Sequence, residues 1–295
     1  FAPLIILGTT MYYQFAQTTR EKTEEQIRYR AQAQAEAVDL FLKERTAILS
    51  AMADTHAFDQ IVKDENLSHI FRVMNSRAGA FVDLGVIDKA GLHRAYVGPY
   101  DLKGINYYDQ PWFAEVTSKG VFMSDVYMGF RKQPHFIIAV LRHENKKSWI
   151  LRATIDPDIL GAIVRSAQIG RTGDAYLINR AGIFQTNPRF EGQILSKSNL
   201  DTSLFGRRLT VVEIGNNHGK TILYAASWLE NNKWLLVINQ EPAEQMKGLF
   251  AVRKVEITII LFGFFIIIIT TVSITRFTVG RIQESDTRMQ ELNAQ

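Results

Sequence analysis

The eighteen residues from Ile257 to Ile274 (ITIILFGFFIIIITTVSI) carry no charge. As a helix rising 1.5 Å per residue they extend about 27 Å, close to the roughly 30 Å hydrocarbon core of a bilayer. Each Ile, Leu, Phe and Val favours insertion by roughly 0.3 to 0.6 kcal/mol at a helix centre. Thr258, Thr270, Thr271 and Ser273 return their hydroxyls to the helix backbone and do not oppose it. The alternative, a buried core helix, is the weaker fit to so long a run. A transmembrane helix near the end of the chain makes the residues before it a body outside the membrane. The residues after it become a lead into the cell.

The other end follows suit. Phe1 to Phe15 is apolar, holds the aromatic pair Tyr12 and Tyr13, and meets its first charge at Arg20. It is expected to be the shortened remnant of a first membrane helix over residues 1–17; a cleaved signal peptide is the rival, but no small-x-small cleavage site precedes the charged segment. Two spans, the second over 255–275, would bracket about 235 residues and place them outside the inner membrane, in the periplasm or extracellular space. The net charge of +4 is spread along the chain, without the basic block that nucleic acid demands. With no cysteine, disulfides, cysteine–zinc sites and thiol catalysis are excluded. The six histidines show no i, i+4 pair, so no metal site is expected.

Residues 18–60 are free of Gly and Pro and rich in Ala, Glu, Gln and Arg, which predicts one long helix leaving the membrane. Ala31, Ala35, Val38, Leu42, Leu49 and Met52 follow steps of three and four, interrupted by Arg45. That stripe fits either a helix packed along its own domain or a dimer seam. The pattern then changes. AFVDLGVIDKAGLHRAYVG predicts a hairpin turning at Asp88–Gly91, and HFIIAVLRHENKKSWILRATID another turning at Glu144–Lys147. Between them lies an aromatic loop with a short helix around Trp112 to Thr117. A second, weaker copy follows: Gly173 to Ile178, a turn at Asn179–Gly182, a return strand Ile183 to Thr186, then KTILYAASWL and KWLLVINQ around Glu230–Asn232. Strands in hairpins beside helices make an α+β design, with a distal subdomain over 61–163 and a proximal one over 164–250.

GPYDLKGINYYDQPWF, SDVYMGFRKQPHFIIAV and WILRATIDPDIL resemble the membrane-distal half of a double Cache (dCache) sensor domain. GRTGDAYLINRAGIFQTNP and YAASWLENNKWLLVINQEPAEQM resemble its proximal half. RIQESDTRMQELNAQ, in residues 276–295, resembles the helix that leads into the phospho-accepting helix of a bacterial sensor histidine kinase. Ile282, Ser285, Met289 and Leu292 there keep coiled-coil spacing. The resemblance implies two PAS-like antiparallel-sheet subdomains behind a long N-terminal helix, flanked by transmembrane helices. It also implies a homodimer, a response-regulator partner, and a kinase domain with ATP and Mg beyond residue 295. This chain carries none of that catalytic machinery and no cofactor motif of its own.

The resemblance places a ligand among the aromatic loop and the distal sheet. Trp112, Tyr127 and Asp156 fall on the Trp, later Tyr and Asp of amino-acid-binding members, whose Asp takes the ligand ammonium. Gln110 stands at their Arg position and Ile105 at their first Tyr, which argues against amino-acid binding. Arg131, His135 and Arg152 supply cationic or polar groups on neighbouring strands. The expected ligand site is therefore Tyr107, Trp112, Tyr127, Arg131, His135, Arg152 and Asp156, taking a small carboxylate-bearing or zwitterionic molecule. Asp174, Tyr176 and Asn187 can line a second cavity in the proximal half, more simply read as structural. Rival outputs are a chemoreceptor or a diguanylate cyclase. From other classes come a purely structural dimerisation module and an anchored hydrolase, for which Ser124, His135 and Asp125 are the crude candidates.

Overall fold

The computed structural model describes residues 2–130, 132–145, 147–168, 170–206, 208–215 and 221–293. It divides into two compact units, Phe1–Glu21 with Ala243–Gln295, and Lys22–Pro242. The first unit consists of the outer ends of two long helices, α1 (Ala2–Thr55) and α6 (Pro242–Asn293). Among the described residues one segment is long and apolar enough to cross a membrane, Ile257–Ile282, at 26 residues. Its large apolar side chains stand exposed. The expected first span is helical from Ala2, but a second crossing segment is not found among the described residues. Side chains of Ser285, Met289 and Leu292 lie outside the described residues.

The second unit carries two antiparallel sheets on one spine. Ile27, Ala31, Ala35, Val38, Leu42 and Leu49 of α1 are buried in a single core that includes both sheets. The stripe thus packs along its own domain. Arg45 interrupts it for a reason: Nη2 donates to the Ala78 carbonyl at 2.6 Å. Ala78 ends α3 (Asp64–Ala78), so Arg45 satisfies a helix-terminal carbonyl that would otherwise be orphaned. The guanidinium also lies 4.4 Å from the Phe41 ring centroid. A four-residue helix, α2 (Phe58–Ile61), joins α1 to α3.

The distal sheet runs in the order β2-β1-β5-β4-β3, with β1 (Phe81–Asp88), β2 (His93–Val97), β3 (Val121–Met123), β4 (Phe136–Glu144) and β5 (Lys147–Ile155). Both hairpins turn where their sequences predict, with Gly91 (φ 82°) and Asn145 (φ 51°) in the left-handed region. Helix α4 (Pro111–Lys119) starts on a proline, whose fixed φ suits a first turn. Helix α5 (Pro157–Arg165) then leads to the proximal sheet, order β6-β9-β8-β7. Its strands are β6 (Asp174–Asn179), β7 (Thr210–Gly215), β8 (Thr221–Trp228) and β9 (Trp234–Gln240).

One expectation is corrected here. Ile183 to Thr186 is not a return strand; it makes only single bridges, Ile178 to Phe184 and Ile183 to Lys197. Pro188, two residues on, offers no N–H to a ladder. The fourth strand is instead β7, a half-buried edge.

Candidate functional site

The distal sheet has two unlike faces. Leu84, Val86, Leu151, Ala153, Ile138 and Val140 face the α1 core. The opposite face carries Ile87, Ile137, Ala139 and Ile150 under Tyr107, Trp112 and Phe113, and that is where polar groups gather. Arg152 of β5 stands opposite Gly85 of β1 and Ala139 of β4. Two small neighbours leave room for a guanidinium to lie over the middle of a sheet, and Arg152 is only 2% exposed. Asp83, also fully buried, is two residues from Gly85 and so shares this face.

Strand β2 supplies His93 and Tyr96, which an odd spacing would send to opposite faces. The ladder shifts between Val86 and Ile87, so that Ile87 pairs with His93 while Gly85 pairs with Tyr96. This bulge at Arg94 brings both rings to the polar face. His93 points its Nε2 edge at Gly85, and its ring centroid lies 5.4 and 5.5 Å from those of Tyr96 and Tyr107.

The charges are arranged as a buried pair with spare donors. Arg152 Nη1 is 4.0 Å from Asp83 Oδ1, and the Tyr96 hydroxyl donates to Asp83 Oδ2 at 3.2 Å. The guanidinium carbon sits 5.4 Å from the Tyr107 ring centroid and 5.8 Å from that of Trp112. Nε and Nη1 of Arg152 have no hydrogen-bond partner among the described residues. Burial, the strongest influence, works against the charged guanidinium, but Asp83, Tyr127 and Tyr107 outweigh it and hold the pKa above its ordinary value. Arg152 is therefore a permanent cation with unused donors.

Arg152 lines a cavity of about 250 Å³. Arg152, Tyr107, Trp112, Tyr127 and His135 line it, together with Leu102, Gln110, Gly129 and Phe130. Tyr107 packs on Trp112 and Phe130 with centroids at 5.3 and 5.9 Å. Tyr127 and His135 exchange backbone hydrogen bonds at 2.9 and 3.0 Å, and their rings are 4.5 Å apart. His135 Nδ1 lies 2.8 Å from the Gln133 carbonyl, which fixes Nδ1 as the protonated nitrogen.

Five of the seven expected site residues thus meet at one cavity. Arg131 lies outside the described residues. Asp156 is placed elsewhere: it is the N-cap of α5, and Oδ1 accepts from Asp158 N at 2.9 Å. An Asp followed by Pro at the end of a strand is a strong helix start, and that role turns the carboxylate away from the cavity. Arg152 pairs with Asp83, a residue the sequence reasoning passed over. Its signal was a lone carboxylate inside the apolar run FVDLGVI. The hydrolase candidates are not assembled: Ser124 Oγ accepts from Ile137 N, and Asp125 accepts from Asn179 and Trp234.

The proximal half holds a larger cavity, about 690 Å³, bordered by Asp174, Tyr176, Glu191, Tyr224 and Asn239 among others. Its buried carboxylate is already occupied, since Asp174 Oδ2 accepts from Arg189 N at 2.8 Å and Oδ1 from Ala175 N at 2.7 Å. Asn187 is not on its wall; Oδ1 accepts from Ile194 N. Burial above all, with Tyr224 and Asp174, pushes the Tyr176 phenol well above its ordinary pKa. Size favours this cavity, but unsatisfied buried charge favours the distal one, and the latter weighs more for a specific ligand.

No family model matches the chain, and no curated protein matches it. Solved structures do. The extracellular domain of rpHK1S-Z16, assigned as a histidine kinase, aligns with TM-score 0.62 at 11% identity, over 77% of this chain and 98% of that one. The ligand-binding domain of the Pseudomonas aeruginosa amino acid chemoreceptor PctB, in complex with L-Arg, aligns with TM-score 0.60 at 18% identity, over 77% and 98%. The sensory domain of the Campylobacter jejuni chemoreceptor Tlp3 gives 0.59 at 14% identity, over 79% and 98%. The long helix and paired sheets of this chain are the fold of Cache-type extracellular sensor domains of histidine kinases and chemoreceptors.

Proposed function

We propose that this chain is the extracytoplasmic sensing region of a membrane-spanning sensor histidine kinase, and that it binds a small carboxylate-bearing or zwitterionic molecule on Arg152. The observation that carries this is a buried guanidinium, two of whose nitrogens lack a hydrogen-bond partner among the described residues, on the lining of an aromatic-walled cavity. A carboxylate fits it as a planar bidentate acceptor, and the cavity holds about eight waters' share of liquid volume, enough for a small metabolite. Relatives of this fold bound L-Arg, L-Gln and L-isoleucine, each of which bears a carboxylate. Within Ile257–Ile282 the uncharged run to Ile274 is apolar on all sides, is suited to hydrocarbon and tethers the body to the inner membrane. Two chains pair as a homodimer, and the segment after the span drives a kinase that uses ATP and Mg and passes phosphate to a response regulator. A chemoreceptor is the second reading, favoured by the PctB and Tlp3 likeness.

Isothermal titration of the intact chain with acetate, propionate, pyruvate, L-lactate and L-alanine tests the site. At least one binds, and Arg152→Gln weakens it roughly tenfold to a hundredfold, the worth of one or two hydrogen bonds to a charged group. Equal affinity in Arg152→Gln overturns the assignment.

A further inference from the structure

The segment that forms one wall of the distal cavity is held by the other subdomain. It leaves β3 at Met123, lines the cavity through Tyr127, Phe130 and His135, and returns as β4. Four side chains of the proximal subdomain grip its first residues. Lys233 Nζ donates to the Met123 carbonyl at 2.8 Å. Trp234 Nε1 donates to Asp125 Oδ1 at 2.8 Å, and Asn179 Nδ2 donates to Asp125 Oδ2 at 3.0 Å. Val126 N donates to Gln185 Oε1 at 2.8 Å. The next residue is Tyr127.

We propose that Asp125 is a positioning residue for the distal ligand: through it the end of β6 and the start of β9 set the cavity wall, and any movement of that wall on binding reaches the proximal sheet. This rests on the ligand site at Arg152. The partners are pre-aimed. Asn179 Oδ1 accepts from Ala181 N and Ile183 N, so its amide is locked by its own turn with Nδ2 left to face Asp125. Gln185 is fully buried, and its Nε2 donates to the Ile183 carbonyl, which fixes Oε1 toward Val126. The Trp234 ring is wedged edge-on against Phe136, the first residue of β4, at 5.3 Å. A carboxylate with each oxygen taken by a different proximal element cannot shift without disturbing both. By thermodynamic reciprocity, what the ligand does to the clamp, the clamp does to ligand affinity.

The test compares the intact chain in lipid nanodiscs with Trp234→Phe, which keeps an aromatic side chain but removes the donor, and with Asp125→Asn. Hydrogen-exchange mass spectrometry follows the peptide over 124–136, where Tyr127 and His135 pair. The expected result is exchange at least about tenfold faster there, the effect of losing one hydrogen bond to a charged group on a local opening equilibrium, with β1 and β5 unchanged. Unaltered exchange in 124–136, or acceleration shared equally by β1 and β5, overturns the proposal, because a merely stabilising contact moves the whole subdomain. In a second arm, saturating propionate protects the wild-type peptides over 174–186 and 229–240, and this protection is lost in Trp234→Phe. Protection that persists in Trp234→Phe also overturns it. Propionate failing to bind the wild type counts against the Arg152 site, and the ligand-free comparison then decides the clamp alone.

Discussion

Gly85→Ala is the most exacting substitution the site offers, because its effect is worked from one close approach. A methyl group at Gly85 would lie 1.9 Å from His93 Nε2 and 2.7 Å from Cε1. The imidazole must move by more than an ångström to restore van der Waals contact. It has nowhere easy to go: His93 is 1% exposed and abuts the rings of Tyr96 and Tyr107. Overpacking of this kind costs about 1–3 kcal/mol, and the absence of space puts this site at the upper end. Alanine recovers roughly 0.4–1 kcal/mol by stiffening the unfolded chain, since Gly85 is not in the left-handed region. The net loss is then about 2 kcal/mol, which for a body of this size lowers Tm by roughly 4–8 °C. Calorimetry on Gly85→Ala, His93→Ala and the double variant completes a cycle. The double variant is expected to be more stable than the sum of the singles predicts by at least about 1 kcal/mol. A Gly85→Ala change within about 0.5 kcal/mol of wild type, or strict additivity with His93→Ala, refutes the close approach of His93 to Gly85.

Arg152→Met leaves Asp83 buried without its cation and is expected to cost about 3–5 kcal/mol in chemical denaturation; adding Asp83→Asn restores most of it. Asp156→Ala removes an N-cap and costs about 0.5–2 kcal/mol, but leaves the affinity of any ligand found by titration as it was. Alkaline stability reports on Tyr176. Its folded pKa lies above the unfolded value of about 10, so the unfolded state gives up its proton first, and stability present below pH 10 drains away as pH rises further. Tyr176→Phe should therefore flatten the fall in urea midpoint between about pH 9 and 11.

Much of the architecture is legible in the sequence because local chemistry and tertiary role agree. The two distal hairpins have apolar strands around turns that contain a residue tolerant of positive φ, and the long helix has no breaker between Arg20 and Phe58. Strand β7 was hidden because its alternation sits against the polar run that follows and only half of it is buried. The cavity was read through its aromatic residues and Arg152, which chemistry marks plainly. What a linear reading misses is parity. His93 and Tyr96 share a face only through a bulge, and Asp83 reaches Arg152 only by the register of β1 on β5. Asp156 shows the converse: the same Asp-Pro dipeptide that suggests a ligand group is better employed starting a helix.

Strand β6 is moored at both extremities. At its beginning Gln168, just past α5, reaches Asp174 at 3.4 Å, and at its far end Asn179 is tied to Asp125. Something anchored fore and aft can pivot or bow, yet slippage along its own length would tear one tether or the other. The ladder from Asp174–Asn239 to Asn179–Trp234 should accordingly keep its pairing whatever happens at Arg152, with excursions confined to tilt.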